Sequence, residues 1–314
     1  MQDIKIFSGS GSVEFTKKVC AFLGVAQGQC EVMKFSDGNI FVRILETVRG
    51  KDVFLIQSIA LFPNDEFTET LFWLDAFKRA SAASVTLIMP YFGYAKGDKK
   101  DEPRVSIRAR VCAESIELAG ADRVVAMDLH SAQIQGFFKK PVDHVYALPV
   151  FTKHLRSLNI DNPVLVSPDT GFIKQTRLYS EVLGWPMAVG DKIRRGHDEK
   201  AKVVEIIGKI EGHDAVIVDD FAISGGTLID LAHELKARGA KKVRAVLSHI
   251  LLREGGVEKL MNSPIDELYS TDSVENSFIE NCSKITIVTA APLLANAIQR
   301  IARRESLVPL FEEN

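Results

Sequence analysis

Short apolar runs alternate with longer amphipathic stretches along the whole chain. IKIFSG, DVFLIQS, SVTLIMPY and RVVAMDL are apolar enough to be strands buried on both faces. Between them, segments such as 65–81 and 105–120 bring apolar positions round at helical spacing and predict helices. The rhythm starts again in the second half with PVLVSPD, PMAVGDK, DAVIVDD, KVRAVLSHI and KITIVTA. Alternation of this kind predicts an α/β protein of doubly wound sheets. VYALPV leads into a new helix near residue 148, which divides the chain into two similar α/β units, 1–147 and 148–314. The long charged, apolar-poor loops are 96–104 and 192–202.

Ligands of open α/β sheets sit outside the carboxyl ends of the strands. That rule singles out Asp128 and His130 after RVVAMDLH, Asp169 after VLVSPD, Lys192 after MAVGDK, and Asp219 with Asp220 after VIVDD. The stretch 216–227, VIVDDFAISGGT, says most. It reads as a buried strand, two adjacent carboxylates, a short loop, and Gly225-Gly226-Thr227 opening the amphipathic LIDLAHELKARGA. A helix N-terminus offers unpaired N–H groups and a positive dipole end, and glycines let an anion approach the backbone. Amides for a phosphate beside carboxylates for hydroxyls suit a sugar phosphate. An ordinary strand–helix turn with a cap is the alternative. Against it, adjacent carboxylates at a strand end repel each other unless something binds them.

Composition narrows the class only slightly. The 39 basic and 41 acidic residues nearly cancel to a net charge of −2, which leaves no electrostatic footprint for nucleic acid. Cys20, Cys30, Cys112 and Cys282 are scattered, with no C-x-x-C pair, as expected of thiols in a reducing compartment. MQDIKIFSGSG lacks the charged leader and apolar core of a signal peptide, and no run of apolar residues is long enough to span a membrane. A cytoplasmic enzyme is the expectation.

VDDFAISGGT resembles the phosphoribosyl pyrophosphate signature, two acids followed by a short loop and T-G-G-T. Alone it leaves nucleobase phosphoribosyltransferases open. KFSDGNIFVRI, MPYFGYAKGDKK and MDLHSAQIQGFF, together with VSPDTG and GDKIRR, make the chain similar to the ribose-phosphate diphosphokinase (PRPP synthetase) family over nearly its whole length. The resemblance implies two phosphoribosyltransferase-like domains, each a parallel sheet flanked by helices. It implies transfer of a diphosphoryl group from ATP to the C1 hydroxyl of ribose 5-phosphate with Mg2+, in a homo-oligomer, a hexamer or dimer. It places ATP on the first domain and the sugar phosphate and catalytic loop on the second, with a neighbouring subunit lending part of the ATP pocket.

Residue by residue, the resemblance implies that Lys192 and Arg194, beside Arg195, are cations of a catalytic loop that closes over ligand. His130 and Asp169 match metal-linked positions, with Asp128 behind them. Asp219 and Asp220 match the groups that bind ribose hydroxyls, and Ser224, Gly225, Gly226 and Thr227 the cradle of the 5-phosphate. Phe35, Asp37, Asn39, Lys96, Gly97, Asp98 and His130 fall on the nucleotide side; Phe35 reads as a stacking residue or, alternatively, as core. Thr47, Arg49 and Ser81 lie where the family forms a regulatory site.

The departures from the family pattern are concentrated. Ile223 stands in the phosphate loop where an aspartate is common. Lys96 and Gly97 replace an arginine and a glutamine, and exchanging Arg for Lys removes a bidentate fork. Asn39 replaces a glutamate, Gln175 an arginine, and Arg108 and Arg110 a small residue and a lysine. Pro309 stands where the familiar ending has tyrosine. A catalytically weak or silent relative, or a diphosphokinase with changed nucleotide or sugar preference, is therefore the alternative reading.

Overall fold

The computed structural model describes residues 4–194 and 202–310. The chain divides into two compact units, one of Met1–Ala147, Asp272–Glu275 and Thr289–Asn314, the other of Leu148–Thr271 and Asn276–Val288.

In the first unit the elements are β1 (Ile4–Ser8), α1 (Val13–Leu23), β2 (Cys30–Lys34), β3 (Ile40–Ile44), β4 (Asp52–Ile56), α2 (Pro63–Arg79), β5 (Ser84–Met89), α3 (Arg108–Ala119), β6 (Arg123–Met127) and β7 (Val142–Val145). Five of these strands form a parallel sheet in the order β1-β4-β5-β6-β7, and β2 pairs with β3 as a separate antiparallel hairpin. The interiors of β4, β5 and β6 are buried throughout, as the continuous apolar runs require of a sheet covered on both faces. Val53, Leu55, Leu87 and Val124 pack against Trp73, Phe77 and Ile116 of α2 and α3. Pro63 at the start of α2, acids in its first turn and Lys78-Arg79 in its last suit a helix in both backbone and dipole.

Glu69 of α2 is only 2% exposed and pins the entry of the chain into α1. Its Oε1 accepts from Ser10 N at 2.9 Å and from Trp73 Nε1 at 3.0 Å, and its Oε2 accepts from Ser10 Oγ. Glu69→Ala leaves buried donors unanswered and is expected to cost about 2–4 kcal/mol. Denaturant unfolding followed by Trp73 fluorescence, in a chain carrying Trp185→Phe, checks this; an unchanged midpoint refutes it.

The second unit holds α4 (Leu148–Ser157), β8 (Pro163–Ser167), α5 (Ile173–Leu183), β9 (Met187–Arg194), β10 (Lys202–Ile207), β11 (Asp214–Ala222), α6 (Gly226–Ala237), β12 (Lys242–Ile250), α7 (Glu254–Met261), β13 (Glu267–Thr271) and β14 (Ile285–Val288). Its sheet runs β10-β9-β8-β11-β12-β13-β14, parallel except for β10 against β9. Ile217, Val243, Ala245 and Leu247 pack on Leu228, Leu231 and Leu235 of α6.

Two sequence expectations change here. Residues 192–194 and 202 are strand, not loop: Lys192 pairs with Val204 and Arg194 with Lys202 in the β9–β10 hairpin, which adds an antiparallel edge to the sheet. The final helix, α8 (Ala291–Ala302), falls in the first unit, where it packs on α1. Ala290 N donates to Asp272 Oδ1 at 2.8 Å and Lys18 pairs with Asp272 at 2.8 Å, which ties this return of the chain to α1.

Candidate functional site

The order of the second sheet fixes where a ligand can sit. From β8 the chain passes through α5 to β9 on one side; from β11 it passes through α6 to β12 on the other. β8 and β11 are neighbours, so the strand order reverses between them, and a crevice opens at their carboxyl ends. The β8–β11 ladder stops at Val166–Ile217, whereas β11 stays paired with β12 as far as Ala222–Ile250. Asp219 and Asp220 therefore lie inside β11, on the stretch that β8 no longer covers.

Three carboxylates gather there. Asp169 Oδ1 accepts from Phe172 N at 3.0 Å, holding the entry to α5, and no hydrogen bond from the described residues reaches its Oδ2. Asp219 Oδ1 accepts from Asp220 N and Asp220 Oδ1 from Phe221 N, each at 2.9 Å. Burial, then the neighbouring Asp220, with Asp169 adding to both, holds the Asp219 carboxyl well above the usual carboxylate range.

The geometry of the loop that follows would suit an anion. Gly225 has φ +72°, a left-handed conformation that favours glycine, and it brings no side-chain cap to α6. The first turn of α6 carries no acidic residue, so its positive end is uncompensated. Ser224, Gly225, Gly226 and Thr227 form this turn, and Ile223 beside it is 50% exposed. A depression of about 650 Å³ between α6 and α7, lined by Ile229, Asp230, Glu258, Lys259 and Asn262, includes Gly226 but none of the three acids.

In the first unit, the β2–β3 turn carries Phe35, Asp37 and Asn39. Phe35 is 50% exposed and its ring lies 6.1 Å from that of Phe41, so it is not core. Asn39 donates to Asp37 from its backbone at 3.0 Å and its side chain at 2.7 Å, and these bonds hold the Asp37 carboxyl below its ordinary range. Lys96 and Gly97 lie in a 3-10 turn at 95–97, with Asp98 next. The hairpin and this turn meet at the start of α2: Lys34 pairs with Asp65 at 2.6 Å, and Tyr94 Oη donates to Asn64 Oδ1 at 2.5 Å. Asn64 and Asp65 went unremarked in the sequence, although PNDE reads as a helix start.

His130 is exposed, two residues beyond a strained position: Asp128 has φ +42°. Asp128 Oδ2 accepts from Ala147 N at 3.1 Å, and His144 Nε2 accepts from Leu129 N at 2.9 Å. The strain is thus held by bonds on both sides, with His144 of β7 a support that nothing in the sequence marked. Thr47, Arg49 and Ser81 are exposed, and Gly50 N donates to Ser81 O at 2.9 Å, which brings the two segments together. Lys192 and Arg194 have their backbone in β9; Arg195 and Lys200 lie outside the described residues.

Residues 4–120 match the N-terminal domain of ribose phosphate pyrophosphokinase, and residues 187–312 match the phosphoribosyl synthetase-associated domain. The ribose-phosphate pyrophosphokinase of Thermosipho africanus is 42% identical over 313 residues, 99% of this chain and 98% of that protein. That of Helicobacter pylori is 40% identical over 99% of this chain and 97% of its own. The crystal structure of phosphoribosylpyrophosphate synthetase from Mycobacterium smegmatis superposes with a TM-score of 0.91 at 33% identity, covering 96% of this chain and 99% of that one. The chain belongs to the ribose-phosphate pyrophosphokinase family.

As a ribose-phosphate pyrophosphokinase the chain is an enzyme, and its departures from the family pattern take on physical meaning. Asn39 is bonded to Asp37, so the two act as one unit of the turn. Gln175 Oε1 is buried with no hydrogen-bond partner among the described residues, and nothing in the structure explains that orphaned acceptor. No helix among the described residues is long and apolar enough to cross a membrane.

Proposed function

We propose that the chain transfers the diphosphoryl group of ATP to the C1 hydroxyl of ribose 5-phosphate, giving 5-phosphoribosyl 1-diphosphate and AMP for nucleotide biosynthesis. The C1 oxygen bonds the β-phosphorus, and the oxygen bridging the α- and β-phosphorus leaves with AMP. The observation that carries this reading is the gathering of Asp169, Asp219 and Asp220 at a sheet switch point that runs directly into the Ser224–Thr227 turn. Full-length identity near 40% to pyrophosphokinases supports turnover over a silent subunit.

Attack at phosphorus needs positioning and neutralised charge more than covalent help. In this reading Asp219 and Asp220 accept hydrogen bonds from the ribose hydroxyls and fix C1. The amides and hydroxyls of Ser224, Gly225, Gly226 and Thr227 hold the 5-phosphate at the positive end of α6. Phe35 stacks on the adenine, while Asp37, Asn39, Lys96, Gly97 and Asp98 line the nucleotide site. Lys192 and Arg194 meet the charge on the transferred group. The first unit thus serves ATP and the second ribose 5-phosphate and catalysis.

Crowded carboxylate oxygens fit a hard divalent cation, and Asp169 Oδ2 is open to one. His130 and Asp169 would link to Mg2+, which when bound supplies Lewis-acid neutralisation of the phosphate oxygens. Among the described residues no group of three or more His, Cys, Asp or Glu is placed to hold a metal ion.

A homo-oligomer, hexamer or dimer, is supported by the exposed apolar side chains of the hairpin, Val32, Met33, Phe35 and Leu45. Four free cysteines support a cytoplasmic setting. Thr47, Arg49 and Ser81 are the proposed regulatory patch. Phosphorus NMR of the protein with ribose 5-phosphate, ATP and Mg2+ tests the reaction. AMP and a new sugar diphosphate rising together are expected; ADP, or no change at millimolar substrate, overturns the proposal.

A further inference from the structure

Gly97 and Arg108 are two departures from the family pattern that the fold turns into one feature. Gly97 ends the 3-10 turn, with its amide donating to Tyr94 O at 2.9 Å. It is buried, yet it is not among the positive-φ glycines, so its conformation does not call for glycine. What fills the space is Arg108. A β-carbon on residue 97 would stand 2.7 Å from Arg108 Nε and 2.9 Å from Arg108 Cβ. The first contact is with the arginine's own arm, so a β-carbon at 97 would push the guanidinium aside. In the conformation it has here, the Arg108 arm and a side chain at 97 compete for one space.

Arg108 is also in an unusual electrostatic position. It is the first residue of α3, whose first turn holds no acid, and a cation at that end opposes the helix dipole. Arg110, two residues on, is paired with Glu114 at 2.6 Å. No carboxylate or carbonyl among the described residues pairs with the Arg108 guanidinium. An uncompensated fork of donors is thus laid across the turn that carries Lys96, at the positive end of a helix.

We propose that Arg108 binds the phosphates of the nucleotide substrate, filling the space vacated at 97 and supplying the bidentate grip that a lysine at 96 cannot make. The proposal rests on the diphosphokinase reading, since it needs a polyphosphate beside residues 96–98. Gly97 is then a fitted partner rather than a lost contact.

The test is direct binding of a non-hydrolysable ATP analogue with Mg2+, by calorimetry on the full chain, beside steady-state kinetics. Arg108→Ala is expected to weaken the analogue about tenfold or more, with the KM for ribose 5-phosphate unchanged within about twofold. Arg108→Lys should recover only part of the loss, because a point charge lacks the fork. Gly97→Ala should weaken binding as Arg108→Ala does, by displacing an intact guanidinium. The double variant should be no weaker than either single one, the mark of two residues acting as a unit. Wild-type affinity in Arg108→Ala, full rescue by lysine, or losses that add independently overturn the proposal. If Gly97→Ala does not fold, the two Arg108 variants decide alone. Analogue binding requires no turnover. A wild-type chain that binds the analogue but releases no AMP therefore refutes the reaction and not the role of Arg108.

Discussion

Asp219→Asn is expected to lower kcat/KM for ribose 5-phosphate roughly a thousandfold while making the free protein more stable. Both effects have one cause. The free enzyme holds Asp219 half-buried in β11 against Asp220, with Asp169 near, so ionising it is unfavourable. An asparagine keeps the shape, removes one charge and can donate to Asp220, replacing repulsion with a hydrogen bond. Relief of about 1 kcal/mol would raise Tm by roughly 2–4 °C. In the proposed reaction the same exchange turns an acceptor for the sugar hydroxyls partly into a donor and would weaken the pull on a cation. Scanning calorimetry of the free protein and product formation by phosphorus NMR check the two halves. Stabilisation by ribose 5-phosphate with Mg2+ should shrink in the variant, as binding linkage requires. A variant less stable than wild type, or one that retains turnover, would show that the acid pair is structural.

Much of the fold was legible because parallel strands covered on both faces are written as uninterrupted apolar runs. β4, β5, β6, β8, β11 and β12 all carry that signature. Several elements without it were missed. β7, VDHV, is an edge strand, and β13, between β12 and β14, opens on Glu267; both are short and carry polar positions. β10 emerges from a charged stretch whose pairing with β9 depends on hairpin register rather than on burial. The β2–β3 hairpin had a signal in Asp37-Gly38 between apolar residues, the turn chemistry of a hairpin. The return of α8 to the first unit rests on contacts far apart in sequence, which periodicity does not carry.

The site was legible in kind but not in support. From sequence alone, strand-end carboxylates and a glycine turn raise the expectation of a phosphate and hydroxyl site. What fixes them does not: His144 bonded to Leu129 beneath His130, Asp169 holding the entry to α5, and α2 tying the hairpin to the 95–97 turn. Read singly, Asn39 and Gly97 are losses. In the fold Asn39 donates to Asp37 and Gly97 makes room for Arg108, so each departure has a partner. Ile223 has none among the described residues: it is a half-exposed apolar residue beside the 224–227 turn.

Lys192→Ala is expected to cut turnover roughly a hundred- to thousandfold with ribose 5-phosphate binding nearly unchanged. Lys192 and Arg194 stand two positions apart in β9, the spacing at which a strand repeats, and β10 opposes them at Val204 and Lys202. A paired strand fixes backbone positions better than a loop does, and in the proposed reaction the two cations meet charge on the transferred group. The free sugar phosphate carries no such charge at C1, which is why its binding should not register the loss. That asymmetry separates catalysis from attachment: a group used only in the transition state lowers kcat and kcat/KM together. Arg194→Ala should behave alike, and the double variant should fall short of the product of the two losses if both cations meet the same diphosphoryl group. Initial rates across ATP concentration, with calorimetric titration of ribose 5-phosphate, decide the matter. Near-normal turnover in Lys192→Ala would remove β9 from the catalytic machinery, and a loss confined to ribose 5-phosphate affinity would reassign Lys192 to sugar binding.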